Sequence, residues 1–218
     1  MKIFITITFF YLFHNITICQ TDTNKVIYTP SINLKEGVYL TFDLFIKQKP
    51  ISFDKLLLSN NENSIENLFK QKSILYTDNY GFTKEIETKS IWGYVLNNAL
   101  FIYYNKEFFR VSYLGSIAHF IATQTVKNYV PRYDPYYGYY YPYPSQSYET
   151  TQLIQNIIDF KTGKVFPFTP EAILALISDD TELFNEYNQL KKKKKKELMF
   201  LYIRKYNEKH PLYLYKWK

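Results

Sequence analysis

The stretch from Ser73 to Thr123 constrains the fold most. It breaks into short segments rich in aromatic and β-branched residues, with turn signals between them. Ser73–Thr77, Thr83–Glu87, Ile91–Leu96, Ala99–Tyr104, Phe108–Leu114 and Ser116–Thr123 each read as a strand. Asn97-Asn98 forms a two-residue hairpin loop, because Asn tolerates the positive φ such turns require. Asn105-Lys106-Glu107 makes the next connection. Spacing this tight gives an antiparallel meander. Apolar groups fall on both faces: Phe101 and Tyr103 on one, Leu100, Ile102 and Tyr104 on the other. A one-sided sheet alternates apolar with polar. This sheet is therefore covered on both sides or curls into a barrel-like shape.

The flanks supply the rest of an α+β fold. Val26-Ile-Tyr28 reads as a short strand and Glu36–Leu40 as a short apolar run. Thr41 caps a short helix that places Phe42, Phe45 and Ile46 on one face and ends before Pro50. Ile51–Leu58 is read as strand, and Asn60–Asn63 as a polar loop. Gln152–Phe160 is a strand, turned by Lys161–Lys164 onto a partner at Val165–Phe168. Thr169-Pro170-Glu171 opens a helix to about Ile177: an N-cap, proline at the first helical position, then an acid. Asp179-Asp180 opens a second, longer helix to about Glu208, so the chain closes on a C-terminal pair of helices.

Residues 1–19 have the pattern of a secretory signal peptide: Lys2, an apolar run from Ile3 to Phe13, then an exit at Cys19-Gln20. The run is too short to span a bilayer. Residues 20–218 then form a single domain without a transmembrane span, in the periplasm, at the outer membrane or outside the cell. A lipid anchor on Cys19 is the less favoured alternative, because Ile18 stands where lipoprotein signals carry Gly, Ala or Ser. Cleavage there removes the chain's one cysteine, and with it disulfides, thiol catalysis and thiolate metal ligation.

Charge is concentrated at one end. The 218 residues carry 27 Lys plus Arg against 20 Asp plus Glu, a net of +7. All of that excess lies beyond Thr181, and Lys191, Lys192, Lys193, Lys194, Lys195 and Lys196 are consecutive. Six residues exceed one helical turn, so these lysines point to every side and the segment cannot be packed all round. It is either a solvated helix or a contact for an anionic surface, such as lipid headgroups or acidic polysaccharide. The tail from Leu212 mixes aromatics with cations, which suits an interface or a last strand. Nucleic acid is disfavoured, with Arg at only Arg110, Arg132 and Arg204.

Tyr129 to Tyr148 holds nine tyrosines and the prolines Pro131, Pro135, Pro142 and Pro144. Proline denies it a regular ladder, so it reads as an extended loop. Its densest part, Tyr136, Tyr137, Tyr139, Tyr140 and Tyr141, offers rigid amphipathic surface for sugar rings or a protein partner. An A/T-rich gene gives the same Tyr and Lys excess without selection on chemistry.

Conventional catalytic signatures are missing. His119 lies three strand residues from Ser116, hence on the opposite face, and is read as a satisfied strand histidine. His210 suits a helix C-terminus, and Asp179-Asp180 a helix start. No glycine-rich phosphate loop, nucleophile elbow, metal set or cofactor motif is found. The favoured function is a non-catalytic binding or scaffolding module of the cell envelope, with another envelope protein, a polysaccharide or an anionic membrane surface as partner. The alternative is a polysaccharide hydrolase built from scattered carboxylates such as Asp43, Glu85 or Asp159.

Several segments carry a resemblance: Cys19-Gln20, Gly37–Phe42, Ile91–Tyr94, Phe108–Val111, Gly115–Phe120, Ile158–Gly163 and Tyr202–Pro211. In these the chain resembles a family of uncharacterised secreted proteins from Bacteroidetes, a domain of unknown function. The resemblance implies export and an accessory envelope role, with no activity to carry over. Tyr129–Tyr148 is the part least expected in other members.

Overall fold

The computed structural model describes residues 24–57, 65–134 and 139–217. The segment 1–19 with Cys19, expected to be a signal peptide, Asn60–Asn63, expected to be a loop, and Tyr136 and Tyr137 lie outside them.

The elements run in the order β1 (Lys25–Ile27), β2 (Gly37–Tyr39), α1 (Phe42–Ile46), α2 (Ile65–Leu68), β3 (Ser73–Thr77), β4 (Thr83–Glu87), β5 (Gly93–Leu96), β6 (Ala99–Tyr104), β7 (Glu107–Tyr113), β8 (Ile117–Asp134), β9 (Tyr139–Asp159), β10 (Lys164–Pro167), α3 (Pro170–Leu176), α4 (Thr181–Asn188), α5 (Lys192–Lys209) and β11 (Tyr213–Tyr215). The expected α+β class and antiparallel meander are present. Seven strands form one curled antiparallel sheet, a half-barrel, in the order β10-β9-β8-β7-β6-β5-β2. Two-residue turns join β5 to β6 and β6 to β7, with positive φ at Asn97, Asn98, Asn105 and Lys106.

The sheet is apolar on both faces, and both are covered. Tyr39, Val95, Leu100, Ile102, Phe120 and Ile158 face one core, closed by Phe45 of α1 and by Leu212 and Leu214 of the tail. The opposite face carries two cores. Ile117 and Ile157 meet Ile173, Leu183, Tyr202, Ile203 and Tyr206 of the C-terminal helices. Val38 and Tyr94 meet Leu68, Phe69 and Ile74 of α2 and β3. The tail strand β11 joins β1 in a separate two-stranded sheet rather than the main one.

Caps set the helix starts as the sequence indicates. The Leu44, Ala172 and Leu183 amides donate to the side chains of Thr41, Thr169 and Asp180 at 3.2, 3.2 and 3.0 Å. Gly163 takes φ +73° in the β9–β10 turn, where a Cβ would come within 2.7 Å of the Phe42 ring.

Three expectations are corrected. Ile51–Leu58 is not a strand: single bridges at Ile51 and Leu56 flank a 3-10 turn at Phe53–Lys55, so the backbone bonds are made one residue at a time. The long C-terminal helix is two helices, which makes three with α3. The chain reverses at Gln189–Lys191, and the pairs Glu186–Lys205 and Glu182–Lys209, at 2.8 and 2.6 Å, show α4 and α5 antiparallel. The reversal lets Leu183 and Tyr187 share a core with Tyr202 and Ile203, which a straight helix would hold apart. Third, Tyr129–Tyr148 is strand wherever it is described, and most of it is paired. Pro131 stands opposite Pro144, and the register shifts on both sides of Pro131. Each strand of a two-stranded ribbon has a free edge, where a missing N–H breaks no ladder bond.

His119 is a buried strand histidine, 4% exposed, enclosed by Phe168 and Phe200 and hydrogen-bonded to Gln155 at 3.1 Å. Burial lowers its pKa from the usual histidine value, partly opposed by the Gln155 bond. Protonation is thus harder in the folded state. The stability that neutral His119 contributes is present above about pH 6.5 and lost as pH falls through the folded pKa. The thermal midpoint should drop on acidification below about pH 6.5, and His119→Gln should flatten that slope.

Candidate functional site

The aromatic segment becomes an arm. Strand β7 pairs with β8 only up to Phe120, and β10 with β9 only up to Asn156. Gln155 still accepts from the Phe168 amide, and Thr123 is still reached by Asn105 and Glu107; beyond them β8 and β9 pair with each other alone, from Gln124↔Gln152 to Asp134↔Tyr139. At about 3.3 Å per residue this ribbon extends roughly 35 Å. Tyr139 and Tyr140 pair with Asp134 and Tyr133 at its far end, and Tyr141 follows in β9.

Register assigns each arm residue a face. Ile121, Thr123, Lys127 and Tyr129, with Leu153 and Glu149 opposite, continue the face of Ile117 and Ile157, the one covered by helices. Ala122, Val126 and Asn128, with Ile154 and Tyr148, continue the other. Tyr129 and Tyr148 are both exposed, on opposite faces, so at that level neither face of the arm is covered by the described residues. Helix cover ends at His119. Past it Ile121 is 44% and Leu153 76% exposed, and Phe200, packed on His119, is 48% exposed.

The direction of α5 brings the lysines to the same place. The Asn207 side chain bonds the Ile117 backbone twice, at 2.8 Å, and the Phe200 ring packs on His119 with centroids 4.8 Å apart. Moving back along α5 from Asn207 to Phe200 therefore moves outward along β8. At about 1.5 Å per residue, the start of α5 reaches roughly 10 Å beyond Phe200, further toward the arm end of the sheet. Lys196 and Lys193 lie four and seven residues before Phe200 and share its helix face.

Five of the six lysines are exposed. Lys194 pairs with Glu197 at 2.8 Å, and Lys195 reaches Asn188 at 3.3 Å and lies over the Tyr187 ring. Lys191, Lys192, Lys193 and Lys196 have no acidic partner among the described residues. This is an unfavourable helix start. Lys191 makes no side-chain cap bond, and the first turn holds no acid and several cations at the positive end of the helix dipole. The helix is held instead by packing and by the Tyr187 hydroxyl, which donates to the Lys195 carbonyl at 3.0 Å.

The titratable groups at the far end of α5 are structural. Lys161 bonds Asp179 and the Tyr206 hydroxyl, and His210 lies 3.2 Å from Asp180. This ties the β9–β10 turn to α4 and to the C-cap of α5 at His210. The three candidate carboxylates stand on three different elements, α1, β4 and β9. Asp43 pairs with Lys47 at 2.7 Å, Asp159 accepts from the Lys161 amide and the Thr162 hydroxyl at 2.9 and 2.7 Å, and Glu85 stands on β4. No group of three or more His, Cys, Asp or Glu suited to a metal occurs among the described residues.

Sequence reasoning marked the tyrosines and the lysines separately. It missed Ile121, Leu153 and Phe200, which join them. Strand alternation places Ile121 beside His119, but where the helices stop covering that face is a tertiary fact.

Residues 145–210 match a family of unknown function (DUF6563), well under half of the chain. The match spans most of β9, then β10, α3, α4 and α5, and so includes Leu153, the six lysines and Phe200. No curated protein and no solved structure matches the chain.

An acid in the first turn of α5 should relieve the dipole conflict. Lys192→Glu is expected to stabilise the protein by about 0.3–1 kcal/mol, seen as a thermal midpoint raised by roughly 1–4 °C.

Proposed function

We propose that this chain is a non-catalytic binding protein of the cell envelope, exported by its N-terminal segment. It docks on an anionic lipid surface through the arm root and the start of α5. The observation that carries this reading is the exposure of Ile121, Leu153 and Phe200, with Lys193 and Lys196, cations without acidic partners among the described residues, on the helix face of Phe200. Apolar side chains edged by lysine make the pattern of a protein surface that lies in a headgroup layer. Tyrosine suits the same boundary, with a ring for the apolar side and a hydroxyl for the wet one. No helix among the described residues is long and apolar enough to cross a membrane. The hydrolase alternative gains no support, because its carboxylates lie on three separate elements, two of them already engaged by neighbours.

Each lysine near an anionic surface contributes about 1 kcal/mol, so Lys193→Gln with Lys196→Gln should weaken binding to phosphatidylglycerol vesicles about thirtyfold. Leu153→Ser should weaken it too, and added salt should release the protein. Co-sedimentation measures all three. Equal binding by parent and double variant, or equal binding to neutral vesicles, sinks the proposal. Capture of one envelope protein with no vesicle binding would give the surface to a protein partner instead.

A further inference from the structure

A second depression lies on the same sheet face, between the α2–β3–β4 unit and the β6–β7 hairpin. Its volume is about 930 Å³, within the range of ligand sites. The floor is aromatic. Phe69 and Tyr94 stack at 4.0 Å and Tyr94 and Phe101 at 4.7 Å, nearly parallel. Above that buried pile, Tyr103 and Phe108 are half-exposed, with ring centroids 5.2 Å apart. Among the described residues, four lysines and two glutamates line the groove, which leaves it at +2. Glu87 is already paired with Lys89 at 2.9 Å, and Glu107 accepts a bond from Thr123. Lys72 and Lys106 have no acidic partner among the described residues.

Lys106 adds an independent sign. It sits in the β6–β7 turn at φ +73°, where glycine carries least strain and most side chains cost of order 1 kcal/mol. That lysine lines the aromatic groove.

We propose that this groove binds an acidic polysaccharide, with sugar rings on Tyr103 and Phe108 and their carboxylates on Lys72 and Lys106. The aromatic floor suits the apolar faces of sugars, and two uncompensated cations suit a sparsely charged chain. A nucleic acid carries a charge every 3.4 Å or so along each strand and would need a denser basic track, whereas no arginine lines the groove. The site is separate from the lipid-docking surface and does not rest on it.

The test is affinity electrophoresis and calorimetry of the full chain with oligogalacturonate, neutral dextran oligosaccharide and single-stranded DNA. Lys106→Gly keeps the turn's backbone, and Tyr103 is a partly exposed strand residue. The pair Tyr103→Ala, Lys106→Gly should therefore fold and should bind oligogalacturonate about tenfold more weakly. A variant with Lys191–Lys196 changed to Gln should bind like the parent, and dextran should bind neither. The proposal is overturned if the parent does not bind oligogalacturonate, or if the groove variant binds it unchanged. It is also overturned if the Lys191–Lys196 variant loses binding, or if DNA binds as tightly with the same sensitivity to the groove variant.

Discussion

A sheet that is apolar on both faces cannot stand without two covers, and the whole architecture answers that requirement. One face is closed by α1 and by the β1–β11 ribbon, which carries Leu212 and Leu214 onto Tyr39, Phe45 and Phe120. The other is closed in two pieces, the C-terminal helices over β8 and β9 and the α2–β3–β4 unit over β2 and β5. The candidate surfaces lie where the covers stop. The gap past His119 leaves Ile121 and Leu153 open, and the edge of the α2–β3–β4 unit leaves the aromatic groove.

Much of this was legible because it is local. Asn97-Asn98, Thr169-Pro170 and Asp180 each specify a turn or a cap from their own side chains, and the structure places each where the sequence does. The two-sided alternation around Phe101 and Ile102 foretold the double cover. What failed depends on distant residues. Nothing near Leu190 ends a helix, since neither glycine nor proline is there; the reversal comes from Tyr187 and Tyr202, whose rings meet at 4.6 Å. The proline rule misled for Tyr129–Tyr148 because it speaks of strands flanked on both sides, and each arm strand is flanked on one. The candidate site was half legible: the lysines and tyrosines announce themselves by composition, while Ile121, Leu153 and Phe200 look like ordinary core residues.

The start of α5 sets stability against exposure of charge. Its lysines oppose the helix dipole, yet Tyr187 and the packing of Tyr202 and Ile203 hold the turn in place. A helix end held this way keeps its cations outward whatever their electrostatic cost. The arm is the counterpart: a two-stranded ribbon has little stability of its own in water, and a surface that receives both of its faces would order it.

The β1–β11 ribbon has a consequence for the order of events. Tyr28 donates to Leu212 and Lys216 to Asn24, each at 2.7 Å, so the clasp joins almost the first and the last described residues. Synthesis delivers β1 long before β11. Until Leu214 has emerged, one sheet face stays open and its core cannot close. The core under that face thus stays unfinished while every element from β2 to α5 is made.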